Sequence, residues 1–136
     1  MTSRQYRSNY RRQLPALVAV VGGGLIGSAA RAIVGFWLPT PTGHFPTGIF
    51  VINITGSFLI GLYLARRERA AVARLSLPFW AIGVLGSFTT FSAFSLDVLR
   101  LLTEGQTPTA VVYVVSSTVG GLVAALLGQR VGQAAG

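Results

Sequence analysis

The apolar positions of this chain fall into four long blocks, roughly Leu14–Leu38, Gly48–Ala65, Leu77–Leu102 and Pro108–Gln129, joined by short polar loops. A helix needs about 20 residues to cross about 30 Å of hydrocarbon, and each block meets that length closely enough to span. The expected fold is an all-α membrane protein with four transmembrane helices. Residues 1–13 form an Arg-rich tail, disordered or interfacial, 14–130 the four-span domain, and 131–136 a C-terminal tail.

The third block breaks the pattern. Pro78 suits a first helical turn, but the apolar run from Phe79 to Leu85 is too short to span. Residues 86–94 then read Gly-Ser-Phe-Thr-Thr-Phe-Ser-Ala-Phe, with hydroxyls set between aromatic rings. Hydrocarbon supplies no hydrogen-bond partners, so such a cluster must face protein or a water-filled path. The pattern predicts a helix break within Gly86–Thr90 and a second half-helix reaching Leu102. Free carbonyls at a break of this kind can hold a cation. Something polar or charged is expected to cross the bilayer here.

Composition supports the membrane reading. Of 136 residues, 51% are hydrophobic and 10% charged, against about 25% charged in soluble domains. No loop is long enough for a soluble catalytic domain, and no enzyme is expected. His44 is the single histidine and there is no cysteine, which leaves no disulfide, no metal cluster and no buried base for a Ser-His-Asp arrangement. The net charge is +8, and all eleven basic residues are Arg. They flank the spans as membrane anchors do and lack the folded platform that nucleic-acid binding needs. The basic start followed by an apolar stretch resembles a signal peptide only superficially, because the stretch is too long and no cleavage site ends it.

Several residues carry two readings. Gly23 with Gly27, and Gly24 with Ser28, are small residues at the spacing that lets helix backbones approach. Asn53 and Ser57 share a face of span two; the Asn53 amide either bonds across helices or donates to a passing anion. Phe91 and Phe94 either pack, or turn their positive ring edges with nearby hydroxyls toward an anion, holding it loosely enough for release. Arg31 either snorkels or draws anions into a vestibule; a charge at the bilayer centre costs about 2.5–3.5 kcal/mol. Asp97, the only acid within a span, pairs with Arg100 or caps the helix end. Tyr113, Ser117 and Gly121 share a face of span four.

Three segments together resemble the Fluc/CrcB family of small fluoride channels. Span one reads Gly23-Gly24-Leu-Ile-Gly27-Ser-Ala-Ala-Arg31, span two Val51-Ile-Asn53-Ile-Thr-Gly56-Ser57-Phe58, and span three the 86–94 segment. The resemblance covers the whole four-span region. It implies passive fluoride export that confers fluoride resistance, through antiparallel dimers with two pores. It implies that Phe91 and Phe94 line the fluoride path with Asn53, Ser92, Tyr113 and Ser117, that Arg31 sits in the vestibule, and that Asp97 is the family's acid after the second phenylalanine. It further implies a structural Na⁺ at the dimer centre, held by the backbone carbonyls of Gly86 and Thr89. Ala93 replaces a family threonine and Gly121 interrupts the serine track of some relatives.

Two rivals come from other classes. A small multidrug-type, proton-coupled exporter needs a carboxylate in span one, where this chain has Arg31 instead. A non-conducting assembly subunit would have little use for the polar cluster. Charge also predicts topology. Arg4, Arg7, Arg11, Arg12, Arg66, Arg67, Arg69, Arg74 and Arg130 fall on one side of four spans, and Arg100 alone on the other. This bias places both termini in the cytoplasm and predicts one dominant orientation. An antiparallel unit would then form with an oppositely oriented paralogous subunit, or with a second copy of this chain.

Overall fold

A computed structural model describes residues 3–69 and 73–134. Helix α1 is Ser3–Trp37 and α2 is Thr47–Arg69. The third span starts with a π-helical segment, Leu77–Leu85, continues as a short α3, Gly86–Phe88, and resumes after a break as α4, Phe91–Thr103. The last helix, α5, is Thr107–Ala134. Four stretches are long and apolar enough to cross a membrane: Gln13–Trp37, Thr47–Glu68, Leu77–Thr103 and Thr107–Ala134. The chain is a multi-pass membrane protein, all-helical over the described residues. The first helix begins at Ser3 and the last helix runs to Ala134, so backbone helix continues from each outer span into the adjoining segment.

The helices pair by close backbone approach. Helix α1 lies along the π-helical segment, and α2 along α5. A Cβ at Gly23 would meet the backbone of Phe79 and Val84, and one at Gly27 the backbone of Val84 and Phe88. The small-residue pair of span one is thus a packing device, as its spacing predicts. On the other pair, a Cβ at Gly61 would run into the Ala125 carbonyl, and one at Gly128 into the Phe58 carbonyl. Gly83 belongs to this packing scheme too: a Cβ there would lie 2.8 Å from the Val20 carbonyl and 3.0 Å from the Gly23 Cα. Lipid tails are as apolar as leucine, so helix association in a bilayer depends on such close packing and on hydrogen bonds rather than on burying apolar surface. Accordingly Leu25, Ile33, Val112 and Leu122 face outward, while the buried set is small: Ile52, Ala65, Leu101, Ala110, Tyr113 and Ala124 among its members.

The break lies inside the expected Gly86–Thr90 segment, at its C-terminal end. Gly86 is helical (φ −65°, ψ −28°). The residues that leave the helical region are Thr89 (φ −75°, ψ 158°) and Thr90 (φ −151°, ψ 122°). The cause is a side chain from α2, described next.

Candidate functional site

Asn53 reaches from α2 to the break and holds both backbone groups of one residue. The Thr90 N–H donates to Asn53 Oδ1 at 2.9 Å, and Asn53 Nδ2 donates to the Thr90 carbonyl at 3.0 Å. An extended residue inside a membrane span loses its helical partners, and unsatisfied backbone groups there are costly; the amide supplies one acceptor and one donor at once. One turn along α2, Gly56 leaves the space that the Thr89 methyl and the Phe88 ring occupy. The restart of the helix is capped locally. Thr90 Oγ1 accepts from the Ala93 N–H at 3.2 Å, the side-chain cap that helix N-termini favour, and lies 3.1 Å from Ser92 Oγ. Thr89 Oγ1 donates back to the Leu85 carbonyl at 3.0 Å.

This clasp frees carbonyls. The N–H that would close a helical turn on Gly86 is that of Thr90, which goes to Asn53 instead. The N–H that would close on Thr89 is that of Ala93, which goes to the Thr90 hydroxyl. The Thr89 carbonyl instead receives Nη1 of Arg31, at 3.4 Å. Arg31 therefore points at the break from α1, half-buried, rather than snorkelling to the end of its helix.

An open groove of about 400 Å³ lies beside the break. Asn53, Ser57, Gly86, Thr89, Thr90 and Phe91 are among its lining residues. Phe91 is 79% exposed in the single chain. Its ring centroid stands 5.7 Å from that of Phe94, and Phe94 lies 5.1 Å from Tyr113. Tyr113 is fully buried. Its hydroxyl, the Ser117 hydroxyl and Asp97 Oδ2 are buried with no hydrogen-bond partner. The structure thus brings Asn53, Ser92 and Phe91 together at the break, and Phe94, Tyr113 and Ser117 on its loop side. A Cβ at Gly121 would meet Ser57 Oγ at 3.5 Å, so this position faces the α2 hydroxyl. Chemically the arrangement offers hydroxyls, amide hydrogen and ring edges without a fixed counter-charge at the break other than Arg31.

The sequence that builds this break matches one known family over most of its length. The description "CrcB-like protein, Camphor Resistance (CrcB)" matches residues 18–129. The chain belongs to the CrcB family. Among CrcB relatives, one from Acidobacterium capsulatum named "Fluoride-specific ion channel FluC" is 44% identical over 115 residues, covering 81% of this chain and 90% of the relative. Another from Agrobacterium fabrum with the same name is 44% identical over 120 residues, covering 87% and 94%. A third, "Fluoride-specific ion channel FluC 1" of Streptomyces coelicolor, is 38% identical over 122 residues, covering 89% and 79%.

One expectation needs correction, and some participants carry little or no signal in the sequence. Arg100 does not pair with Asp97. Its Nε bonds Glu104 Oε1 at 3.0 Å, and its Nη2 donates to Thr42 Oγ1 at 3.1 Å. Glu104 lies four residues on along the same helix face, a spacing equally visible in the sequence. His44 is exposed with Nδ1 3.0 Å from the Thr42 carbonyl, and no group of metal-ligating side chains forms among the described residues. Thr90 had only its place in the hydroxyl cluster to signal its role as the clasped residue. Phe45, which stacks on Tyr113 at 5.2 Å, had no signal beyond its loop.

Proposed function

We propose that this chain forms a fluoride-selective channel through which fluoride leaves the cell passively, conferring fluoride resistance. The observation that carries it is the Asn53-clasped break with its groove and aromatic–hydroxyl lining. The names of the CrcB relatives support the choice of ion. Phe91 and Phe94 present ring edges to the ion; Asn53 donates its remaining amide hydrogen; Ser92, Tyr113 and Ser117 supply hydroxyls; Arg31 gathers anions near the break. Each contact is weak beside an arginine clamp, which lets the ion move on. Fluoride-loaded proteoliposomes carrying this protein, with any required second subunit, should release fluoride without a proton gradient. Equal chloride release, or release only under a proton gradient, would return the protein to the exporter class.

The freed carbonyls of Gly86 and Thr89 fit a hard monovalent cation, and they are where a structural Na⁺ would sit. Such an ion would neutralise carbonyl dipoles that the break leaves unpaired. Arg31 competes for the Thr89 carbonyl, at 3.4 Å, so an ion there takes that acceptor from it. One chain offers too few oxygens, which favours two breaks meeting in an antiparallel dimer, with itself or with an oppositely oriented paralogous subunit. The groove beside the break, open in the single chain, is a natural face for that partner.

The Arg bias places both termini on the cytoplasmic side of the cell membrane. Single cysteines at Ser8 and, separately, at Thr42 report the orientation: only Thr42→Cys should label from outside intact cells. Similar labelling of both would establish dual insertion and remove the reason for a second kind of subunit.

A further inference from the structure

The aromatic row of the break does not stop at Tyr113. Beyond it stands Phe45, from the loop between α1 and α2, with its ring 5.2 Å from Tyr113 at 84° and 5.3 Å from Phe50 at 71°. Phe45 packs against the cluster of Leu101, Ala110 and Tyr113. The loop that carries it is fastened to the end of α4. The Gly43 N–H donates to Glu104 Oε2 at 2.8 Å. Arg100 Nη2 donates to Thr42 Oγ1 at 3.1 Å, while its Nε holds Glu104 Oε1 at 3.0 Å. Gly43 has φ +74°, a conformation that glycine adopts freely and other residues resist, and it turns its N–H to the carboxylate. One acid and one arginine therefore hold two successive loop residues, just before Phe45.

Under that loop the buried Tyr113 hydroxyl and Asp97 carboxylate face each other as a polar pair short of good hydrogen-bond geometry, and the Ser117 hydroxyl is buried without a partner. Burying polar groups with poor or missing partners is costly, so this side of α5 is a polar track rather than plain packing. Ser117 is one helical turn further from the loop than Tyr113. Among the described residues, Phe45 is the ring that the loop between α1 and α2 sets against Tyr113.

We propose that Phe45 is a further pore-closing residue: its ring shuts the loop-side end of the Phe94–Tyr113–Ser117 track, and Glu104 with Arg100 fastens it there. Phe45 acts by controlling access to Tyr113 and Ser117, so it is a positioning residue rather than one that need touch the ion. The proposal rests on the assignment of Phe94 and Tyr113 to the fluoride path.

The chain has no cysteine, so Ser117→Cys introduces a single thiol behind Phe45. A small sulfonate thiol reagent added from the loop side to reconstituted, folded protein should react slowly with it. Adding Phe45→Ala removes both ring contacts and should speed the reaction about tenfold. Phe45→Tyr keeps the ring and should leave the rate at the parent value. Glu104→Ala unfastens the loop with Phe45 in place and should also raise the rate. A merely structural Phe45 would lower the thermal midpoint without changing the labelling rate of folded protein. Unchanged rates in both Phe45→Ala and Glu104→Ala overturn the proposal, and if Phe45→Ala does not fold, Glu104→Ala decides alone. Failure of the path assignment shows separately, as full fluoride flux in Phe91→Ile and Phe94→Ile.

Discussion

Along one face of α2, Gly61 meets the Ala125 backbone and Gly128 of α5 meets the Phe58 backbone, with no room for a Cβ at either. Along another face of the same helix, Asn53 grips the N–H and carbonyl of Thr90 at 2.9 and 3.0 Å beside an open groove of about 400 Å³. The first region is intolerant of volume and indifferent to polarity. The second has volume to spare and depends on each donor and acceptor finding its partner. A bilayer makes both strategies necessary: apolar burial gives no drive between helices, and a broken backbone has no water to fall back on. The proposed fluoride path runs through the second region, while the first fixes α2 against α5.

Crowding the tight seam should have the largest effect. Gly128→Leu forces side-chain atoms into the Phe58 backbone, and overpacking of this kind costs about 3 kcal/mol or more. The expected result is loss of folded protein on size-exclusion chromatography, with fluoride flux lost in proportion. A normally folded Gly128→Leu protein would mean the seam is looser than the contact at Phe58 implies.

Changing the open region should instead spare the fold and remove the function. Phe91→Ile alters a ring that is 79% exposed in the single chain, so the melting temperature of the protein should hardly move. Flux should fall about tenfold or more, the factor that roughly 1.4 kcal/mol of lost ion stabilisation implies. Phe94→Ile should cost the same flux and some stability as well, because Phe94 packs on Tyr113 at 5.1 Å. Asn53→Asp blurs the two regions in an informative way. It removes the donor to the Thr90 carbonyl, worth about 1–3 kcal/mol if that acceptor stays unpaired, and adds a charge that repels anions. Full flux in all three variants would return these residues to packing alone.

The smallest expected effect concerns the cation. Exchanging Na⁺ for a large organic cation should lower the thermal midpoint of the assembled protein by an amount worth about 1 kcal/mol, as loss of a ligand present at a few times its Kd does. An identical midpoint in both salts would speak against a cation at the break and leave the Thr89 carbonyl to Arg31.

Much of this was legible in the sequence, for reasons specific to each element. The four spans follow from block length alone, and the structure keeps them within a few residues except where helix continues into both ends. Gly23 and Gly27 announced a close helix approach by spacing. The existence of a break followed from hydroxyls that lipid cannot satisfy. So did its place within Gly86–Thr90, but not the two residues that carry it. Glycine is the residue expected at an irregular backbone, yet Gly86 is helical and two threonines carry the extended geometry, because what opens the helix is an amide on a different span. That information lies in the register between α2 and the third span, which no local pattern contains. The π-helical winding of Leu77–Leu85 is invisible for the same reason, since Leu-Pro-Phe-Trp-Ala-Ile-Gly-Val-Leu has no feature that separates it from an ordinary apolar helix. Arg100 illustrates a different gap: two acids lay within reach by spacing, Asp97 and Glu104, and only the loop geometry, with Thr42 and Gly43 in place, selects Glu104.

The clasp at the break also bears on how this sequence is free to drift. Asn53 recognises the backbone of residue 90 and ignores its side chain. Position 90 therefore answers mainly to the need for an uncharged capping group toward the Ala93 N–H, and serine or asparagine meets that need about as well as threonine. Position 53 has no such latitude, because a side chain must offer one donor and one acceptor at a single reach, and glutamine is a methylene too long. In a library selected for growth in fluoride, the two halves of one contact should thus record very different histories: several residues surviving at 90, and asparagine alone at 53.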